Sequence, residues 1–166
     1  MIKKIKGNIF NTSCQTLVNT VNCVGVMGKG IAFECKLRFP EMFEKYKEFC
    51  EKKLIKPGSL QLWNSSKPWV LNFPTKVHWK DPSKIEYLHK GLDKFKNEYS
   101  KKNITSIAFP LLGASLGGLS EKLVYETMTK YLEPLNNIDI EIYEYDANAG
   151  DDLFNLFNQK VWRFSI

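Results

Sequence analysis

Short apolar runs alternate with amphipathic stretches along almost the whole chain. Ile2 to Ile9 alternates isoleucine with lysine and predicts a strand, and the more continuously apolar Thr16 to Val21 predicts a second, buried one. Ile31, Ala32, Cys35, Leu37 and Phe39 carry the spacing of a short helix that Pro40 ends. Pro40 also suits the first turn of a following helix, with Phe43, Tyr46, Lys47 and Phe49-Cys50 along its inner face. Pro57-Gly58 marks a turn, and Leu60 to Trp63 and Trp69 to Phe73 predict a hairpin across the polar Asn64 to Lys67 connection. Asp81-Pro82 introduces a long helix over Ser83 to Tyr99, with Ile85, Leu88, Leu92 and Phe95 on one face. A buried strand over Ile104 to Phe109 and a helix from Ser120 through Leu132 come next. The last strand is expected over Ile138 to Tyr145. Beyond Asp146, the spacing of Leu153, Phe154, Phe157, Val161 and Trp162 predicts a further helix packed back on the domain.

This order predicts a three-layer α/β/α domain with a mixed, mostly parallel central sheet. One domain over residues 1–166 is expected, its core at about 1–145 and its packing segment at 146–166. A hydrophobic content of 43% with 25% charged residues is that of an ordinary globular protein. The formal charge of +6 comes almost wholly from lysine, since Arg38 and Arg163 are the only arginines. Lysine attracts polyanions loosely but lacks the planar fork that reads bases bidentately, so the charge permits a nucleic-acid partner without specifying one. Cys14, Cys23, Cys35 and Cys50 form no C-x-x-C pair, and His78 and His89 are the only imidazoles, so neither a metal nor a cofactor is expected. Reduced thiols, no secretory leader in Met1 to Lys6 and no membrane-length apolar run together predict a cytoplasmic protein, expected as a monomer.

Two glycine-rich segments change the picture: Gly25-Val26-Met27-Gly28-Lys29-Gly30 and Gly113-Ala114-Ser115-Leu116-Gly117-Gly118. Each follows a predicted strand and precedes a predicted helix. Glycine lets the backbone approach a phosphate and point successive N–H groups at it, and the helix N-terminus adds partial positive charge. Two such loops at strand carboxyl ends predict a cleft that grips a diphosphate from both sides. The spacing fits neither G-x-G-x-x-G nor G-x-x-x-x-G-K-[ST], which removes support for dinucleotide hydride transfer and for P-loop hydrolysis.

The run Asn19-Thr20-Val21-Asn22-Cys23-Val24-Gly25 through Ala32, with Gly7-Asn8-Ile9 upstream and Gly113 to Leu119 downstream, resembles the macrodomain family of ADP-ribose-binding modules. Asn72-Phe73-Pro74-Thr75-Lys76-Val77-His78-Trp79 is similar to the motif of the DarG-type macrodomains, relatives of the terminal ADP-ribose glycohydrolase branch. The resemblance implies that Asn8 and Ile9 lie near the adenine and that Asn22 hydrogen-bonds the distal ribose. It implies a first diphosphate loop of Gly28, Lys29, Gly30 and Ile31, and a second of Ser115, Leu116, Gly117 and Gly118. Lys76 would be the catalytic residue, attacking the anomeric carbon of the distal ribose. A lysine drawn partly out of water can serve as such an amine nucleophile. The protein-directed branch has an aspartate where Gly117 stands here, whereas the DarG type has glycine, and Ser115 replaces a glycine usual in that loop. DarG antitoxins also carry a second domain, for which 166 residues leave no room, so neutralisation of a toxin by direct binding is not expected of this chain.

His78 and Trp79 have two readings, as aromatics covering the core or as a platform on which a nucleobase stacks, with Lys80 placed to meet a phosphate. The leading expectation is an ADP-ribosyl glycohydrolase that removes mono-ADP-ribose from DNA, at thymidine in the DarG case. Its partners would then be ADP-ribose and ADP-ribosylated DNA. Hydrolysis of ADP-ribose esters on protein Glu or Asp is the first alternative, and a non-catalytic ADP-ribose reader the second. Phosphatase action on ADP-ribose-1″-phosphate or deacylation of O-acetyl-ADP-ribose, which other macrodomains imply, is a third.

Overall fold

The computed structural model describes residues 1–150. Six strands, β1 (Ile2–Gly7), β2 (Thr16–Val21), β3 (Gln61–Trp63), β4 (Trp69–Pro74), β5 (Ser106–Pro110) and β6 (Asp139–Tyr145), form one sheet in the order β1-β6-β5-β2-β4-β3. All neighbours pair in parallel except β3, which closes the sheet as the antiparallel partner of β4. The mixed, mostly parallel sheet expected from the alternation of strands and helices is therefore present. The hairpin across residues 64–67 supplies its one antiparallel pair.

The helices α1 (Gly30–Arg38), α2 (Pro40–Glu51), α3 (Ile85–Glu98) and α4 (Glu121–Leu132) cover both faces. Alternation along the strands decides which side chain meets which layer. Val18, Leu71, Phe73, Ile107, Phe109, Ile140 and Ile142 pack with Leu88, Leu92 and Phe95 of α3 and with Val124, Met128 and Leu132 of α4. Leu17, Val21, Val70, Ala108 and Tyr143 face the other way, onto Cys35 of α1 and Met42, Tyr46 and Cys50 of α2. The sheet is thus buried on both faces, as parallel sheets are.

Several boundaries differ from expectation for identifiable reasons. β1 stops at Gly7, because the Asn8 side chain accepts from the Phe10 N–H and opens a 3-10 turn over Ile9–Asn11. α3 begins at Ile85 rather than Ser83, whose N–H is committed to the Gly117 carbonyl at 2.9 Å. On α2 the fully buried stripe is Met42, Tyr46 and Cys50, spaced by four, while Phe43 and Phe49 flank it and take Lys36 and Lys45 over their rings. Leu37 of α1, expected inside, is 65% exposed, and Cys35 alone of that helix is buried. The helix expected in the tail falls on 151–166, outside the described residues. No described helix is long and apolar enough to cross a membrane.

A polar seam runs through the α2 side of the sheet. Asn19, Asn72 and Gln61 are register partners on three adjacent strands. Asn19 Nδ2 donates to Asn72 Oδ1 at 3.0 Å, and Asn72 Nδ2 donates to Gln61 Oε1 at 3.0 Å. A side-chain ladder of this kind pairs buried amides within an apolar layer, leaving Asn19 Oδ1 without a partner.

Candidate functional site

Because β5, β2 and β4 run parallel and adjacent, the segments after Pro110, Val21 and Pro74 emerge together at one end of the sheet. Ligands of α/β sheets bind at that end. The two glycine loops and the Lys76 segment all lie there.

The segment from Asn22 to Lys29 is folded by Asn22. Its Oδ1 accepts from the Val24 N–H at 3.0 Å and the Val26 N–H at 3.4 Å, and its Nδ2 donates to the Val26 carbonyl at 2.7 Å. The Tyr46 hydroxyl of α2 reaches both the Asn22 carbonyl (2.8 Å) and Oδ1 (2.9 Å). An amide nitrogen has two hydrogens, so Asn22 keeps one donor for a further partner. Met27 is buried beneath the loop, leaving Gly28, Lys29 and Gly30 exposed at its crest. Gly30 has φ +58°, which turns the chain into α1, and Lys29 caps that helix without a side-chain bond. No described hydrogen bond engages the N–H groups of Gly30, Ile31 and Ala32, and no acidic residue occupies the first turn. The N-terminus of α1 therefore presents free donors and positive partial charge.

The second loop is held from within: Leu119 N–H donates to the Gly113 carbonyl at 3.0 Å, and Gly118 N–H to the Ala114 carbonyl at 3.2 Å. Gly117 sits at its tightest point. A Cβ added there would lie 2.3 Å from the Gly113 carbonyl oxygen and 2.3 Å from Ser83 Oγ. Only glycine fits here without moving backbone. Ser115 and Leu116 stand exposed at the tip, and no described bond engages the N–H groups of Ser115, Leu116 and Gly117. The loops meet, since a Cβ on Gly30 would touch the Leu116 side chain at 3.3 Å.

Lys76 lies between them. Val21 accepts from the Thr75 N–H at 3.0 Å, and Val77 accepts from the Cys23 N–H at 2.9 Å, so β2 and β4 stay zipped past their ends. The Cys23 thiol also donates to the Lys76 carbonyl at 3.3 Å. Burial, with Cys50 beside it, pushes the Cys23 thiol up to about 11. From this fixed base the half-buried Lys76 side chain crosses to the second loop, where Nζ donates to the Leu116 carbonyl at 2.9 Å and reaches the Trp79 carbonyl at 3.5 Å. At the mouth, Trp79 is 49% exposed, its ring 5.3 Å from His78, with Lys80 Nζ 5.1 Å above it. Val24, Val26, Val77 and Leu116 are also exposed apolar residues of these segments.

Asn8 and Ile9 lie at the carboxyl end of β1, which β6 and β5 separate from β2. Ile9 still packs in the same cluster as Val21 and Met27 beneath the first loop. Asn8 Nδ2 donates to the Ala149 carbonyl at 3.3 Å. Among the described residues no group of His, Cys, Asp and Glu is arranged to hold a metal ion. Tyr46, Cys23 and Ser83 were missed as contributors to the site. Each acts on a residue 24 or more positions away, so nothing next to it in sequence marks the contact.

Residues 18–128 match the family model described as Macro domain. With the three-layer fold and the paired glycine loops, this makes the chain a member of the macrodomain family. Within that family it is similar to the DarG macrodomains. It superposes on the macrodomain of Mycobacterium tuberculosis DarG with a TM-score of 0.83 at 38% identity, covering 86% of this chain and 97% of that one. It superposes on Thermosipho africanus DarTG in complex with ADP-ribose with a TM-score of 0.82 at 35% identity, covering 93% of this chain and 44% of that one. It is also 36% identical to the DNA ADP-ribosyl glycohydrolase of Thermus aquaticus over 87% of this chain. The chain spans 41% of that relative's length.

Proposed function

We propose that this chain is an ADP-ribosyl glycohydrolase that releases mono-ADP-ribose from DNA, at a thymidine base, with Lys76 as nucleophile. The observation that carries the reading is the Lys76 amine, bridging from the end of β4 to the second glycine loop at 2.9 Å. The two loops offer unpaired N–H groups on either side of it, the donor set a diphosphate requires. A diphosphate gripped in this way puts the distal ribose within reach of Nζ. Asn22, with one free amide hydrogen, and the crest residues Gly28, Lys29, Gly30 and Ile31 serve that ligand from one side. Ser115, Leu116, Gly117 and Gly118 serve it from the other. Asn8 and Ile9 border the adenine end.

In the chemical step the Nζ lone pair forms a bond to the anomeric carbon as the carbon–base bond breaks, its electrons leaving on the base nitrogen, which takes up a proton. Water then attacks the same carbon, returning the amine to Lys76 and freeing ADP-ribose. DNA is favoured as the acceptor by three features. These are the names borne by the DarG-type relatives, the lysine-rich charge of +6, and the exposed Trp79 flanked by Lys80, a surface on which a base stacks beside a phosphate contact.

The test is release of ADP-ribose from two substrates, a thymidine-ADP-ribosylated oligonucleotide and a glutamate-ADP-ribosylated protein, by wild type and Lys76→Ala. Release from the oligonucleotide by wild type alone is expected. Cleavage of the protein substrate alone would move the function to ester hydrolysis. ADP-ribose binding with neither substrate cleaved would make the chain a reader.

A further inference from the structure

Two buried side-chain atoms among the described residues lack a hydrogen-bond partner, Asn19 Oδ1 and Ser83 Oγ. Asn19 joins the amide ladder beneath the first loop through Nδ2, which leaves its Oδ1 without a donor. Ser83 lies at the second loop: it is 5% exposed, lies just before α3, and is pressed against the glycine segment. Its N–H already holds the Gly117 carbonyl at 2.9 Å. Its Oγ and the Gly113 carbonyl oxygen both crowd the point where a Cβ on Gly117 would stand. The two oxygens are therefore near neighbours that make no hydrogen bond, although a hydroxyl always has one hydrogen to donate and a carbonyl has two lone pairs. Leu119 N–H takes up only one of these. A buried hydroxyl left in this condition is unfavourable, and a small loop displacement relieves it.

The loop is built for such a displacement. Gly113 (φ +71°) and Gly118 (φ +80°) bracket it, and the N–H groups of Ser115, Leu116 and Gly117 between them have no described partner. An anion collecting those donors draws the segment toward itself. We propose that Ser83 is a positioning residue for the second loop: its hydroxyl closes on the Gly113 carbonyl when a nucleoside diphosphate tightens the loop. This inference rests on the ADP-ribose reading above. The same closure sets the Leu116 carbonyl, and through it the direction of the Lys76 amine. A bond made only in the tightened loop adds to ligand affinity and nothing to the stability of the protein alone.

Ser83→Ala and Ser83→Cys separate this from a merely structural role. The measurements are Tm without ligand, ADP-ribose affinity by calorimetry, and KM and kcat on the oligonucleotide substrate. Ser83→Ala should leave Tm equal to wild type or slightly higher, because it removes an unpaired buried oxygen. It should weaken ADP-ribose binding about three- to tenfold, the worth of one hydrogen bond, and raise KM more than it lowers kcat. Ser83→Cys, a weaker donor, should fall between. Unchanged affinity in Ser83→Ala, with or without a fall in Tm, would overturn the proposal while leaving the functional reading intact. Failure of wild type to bind ADP-ribose would overturn both.

Discussion

Lys76 Nζ and the main-chain carbonyl of Leu116, 40 residues apart in sequence, meet at 2.9 Å. The contact joins the two parts of the site that carry different chemistry, an amine at the end of β4 and the glycine loop after β5. A carbonyl accepts but cannot donate, so it fixes one N–H direction of the amine. The Trp79 carbonyl at 3.5 Å lies near a second. The two contacts together tie Nζ to the Leu116 and Trp79 carbonyls.

Replacing Lys76 tests whether the amine reacts or merely attracts. Lys76→Ala should lower the release of ADP-ribose by at least about a hundredfold while leaving ADP-ribose affinity little changed. Lys76→Arg keeps the charge but cannot offer a lone pair, because a guanidinium stays protonated, so it should be equally inactive. Substantial turnover by Lys76→Arg would show that charge alone suffices.

Gly117→Ala asks whether the tight point of the second loop is structural. Its Cβ would meet the Gly113 carbonyl and Ser83 Oγ, so backbone must move, at a cost of about 1–3 kcal/mol. Tm should fall by about 2–10 °C, and ADP-ribose affinity should fall with it. Gly118→Ala is the control: its new Cβ meets nothing within 4 Å, so only the left-handed φ of +80° opposes it, and it should lose less. Equal losses in the two variants would show that the crowding at 117 is relieved cheaply, since Gly117, unlike Gly118, has no left-handed φ to oppose alanine.

Much of this site was legible because glycine, lysine and proline announce their local chemistry. The two loops and Lys76 could be found from residue type and position after a strand, and the strands themselves from apolar period. The supports were not legible in the same way. Tyr46 reads as one more apolar position on α2, yet its hydroxyl fixes Asn22 from 24 residues away. Ser83 reads as a helix start, because nothing nearby in sequence says that its N–H is spent on Gly117. The exposure of Leu37 had a similar cause: α1 rests on the sheet through Cys35, and a helix of nine residues can bury little else. Periodicity gives the inner face of an element only when that face is wide. Hydrogen bonds across long sequence separations leave no periodic trace.

The thiols and phenols set an alkaline limit on stability. Burial raises Cys14, Cys23, Cys35 and Cys50 above the ordinary thiol value of 9.0, Cys23 to about 11, and raises Tyr143 to about 12. Each group stays protonated in the folded chain at a pH where the unfolded chain has released its proton. The unfolded state then binds fewer protons, so stability falls as pH rises. The contribution is intact below pH 9.0 and is lost above it, through about 11 for Cys23. Tm followed from pH 7 to 11 should be level with respect to these groups up to about 9 and then decline, and Cys23→Ser should decline less steeply. Identical slopes for the two proteins would remove Cys23 as a contributor.

Tyr46→Phe isolates the support of Asn22 from its contact with ligand. The ring is fully buried and the hydroxyl lies within reach of both the Asn22 carbonyl and Oδ1, so its loss removes one donor from the pair, Oδ1 keeping the Val24 and Val26 N–H groups, while the packing is kept. The expected cost is about 1–3 kcal/mol, measured by denaturant unfolding. Asn22 retains its bonds to Val24 and Val26, so the loop should stay formed but less closely held. ADP-ribose affinity should then drop by less than in Asn22→Ala, which removes the loop's own bonds as well. If Tyr46→Phe loses stability but binds ADP-ribose as wild type does, the hydroxyl serves the core alone. If both fall together, the fixed direction of the Asn22 amide is part of how the site recognises its ligand.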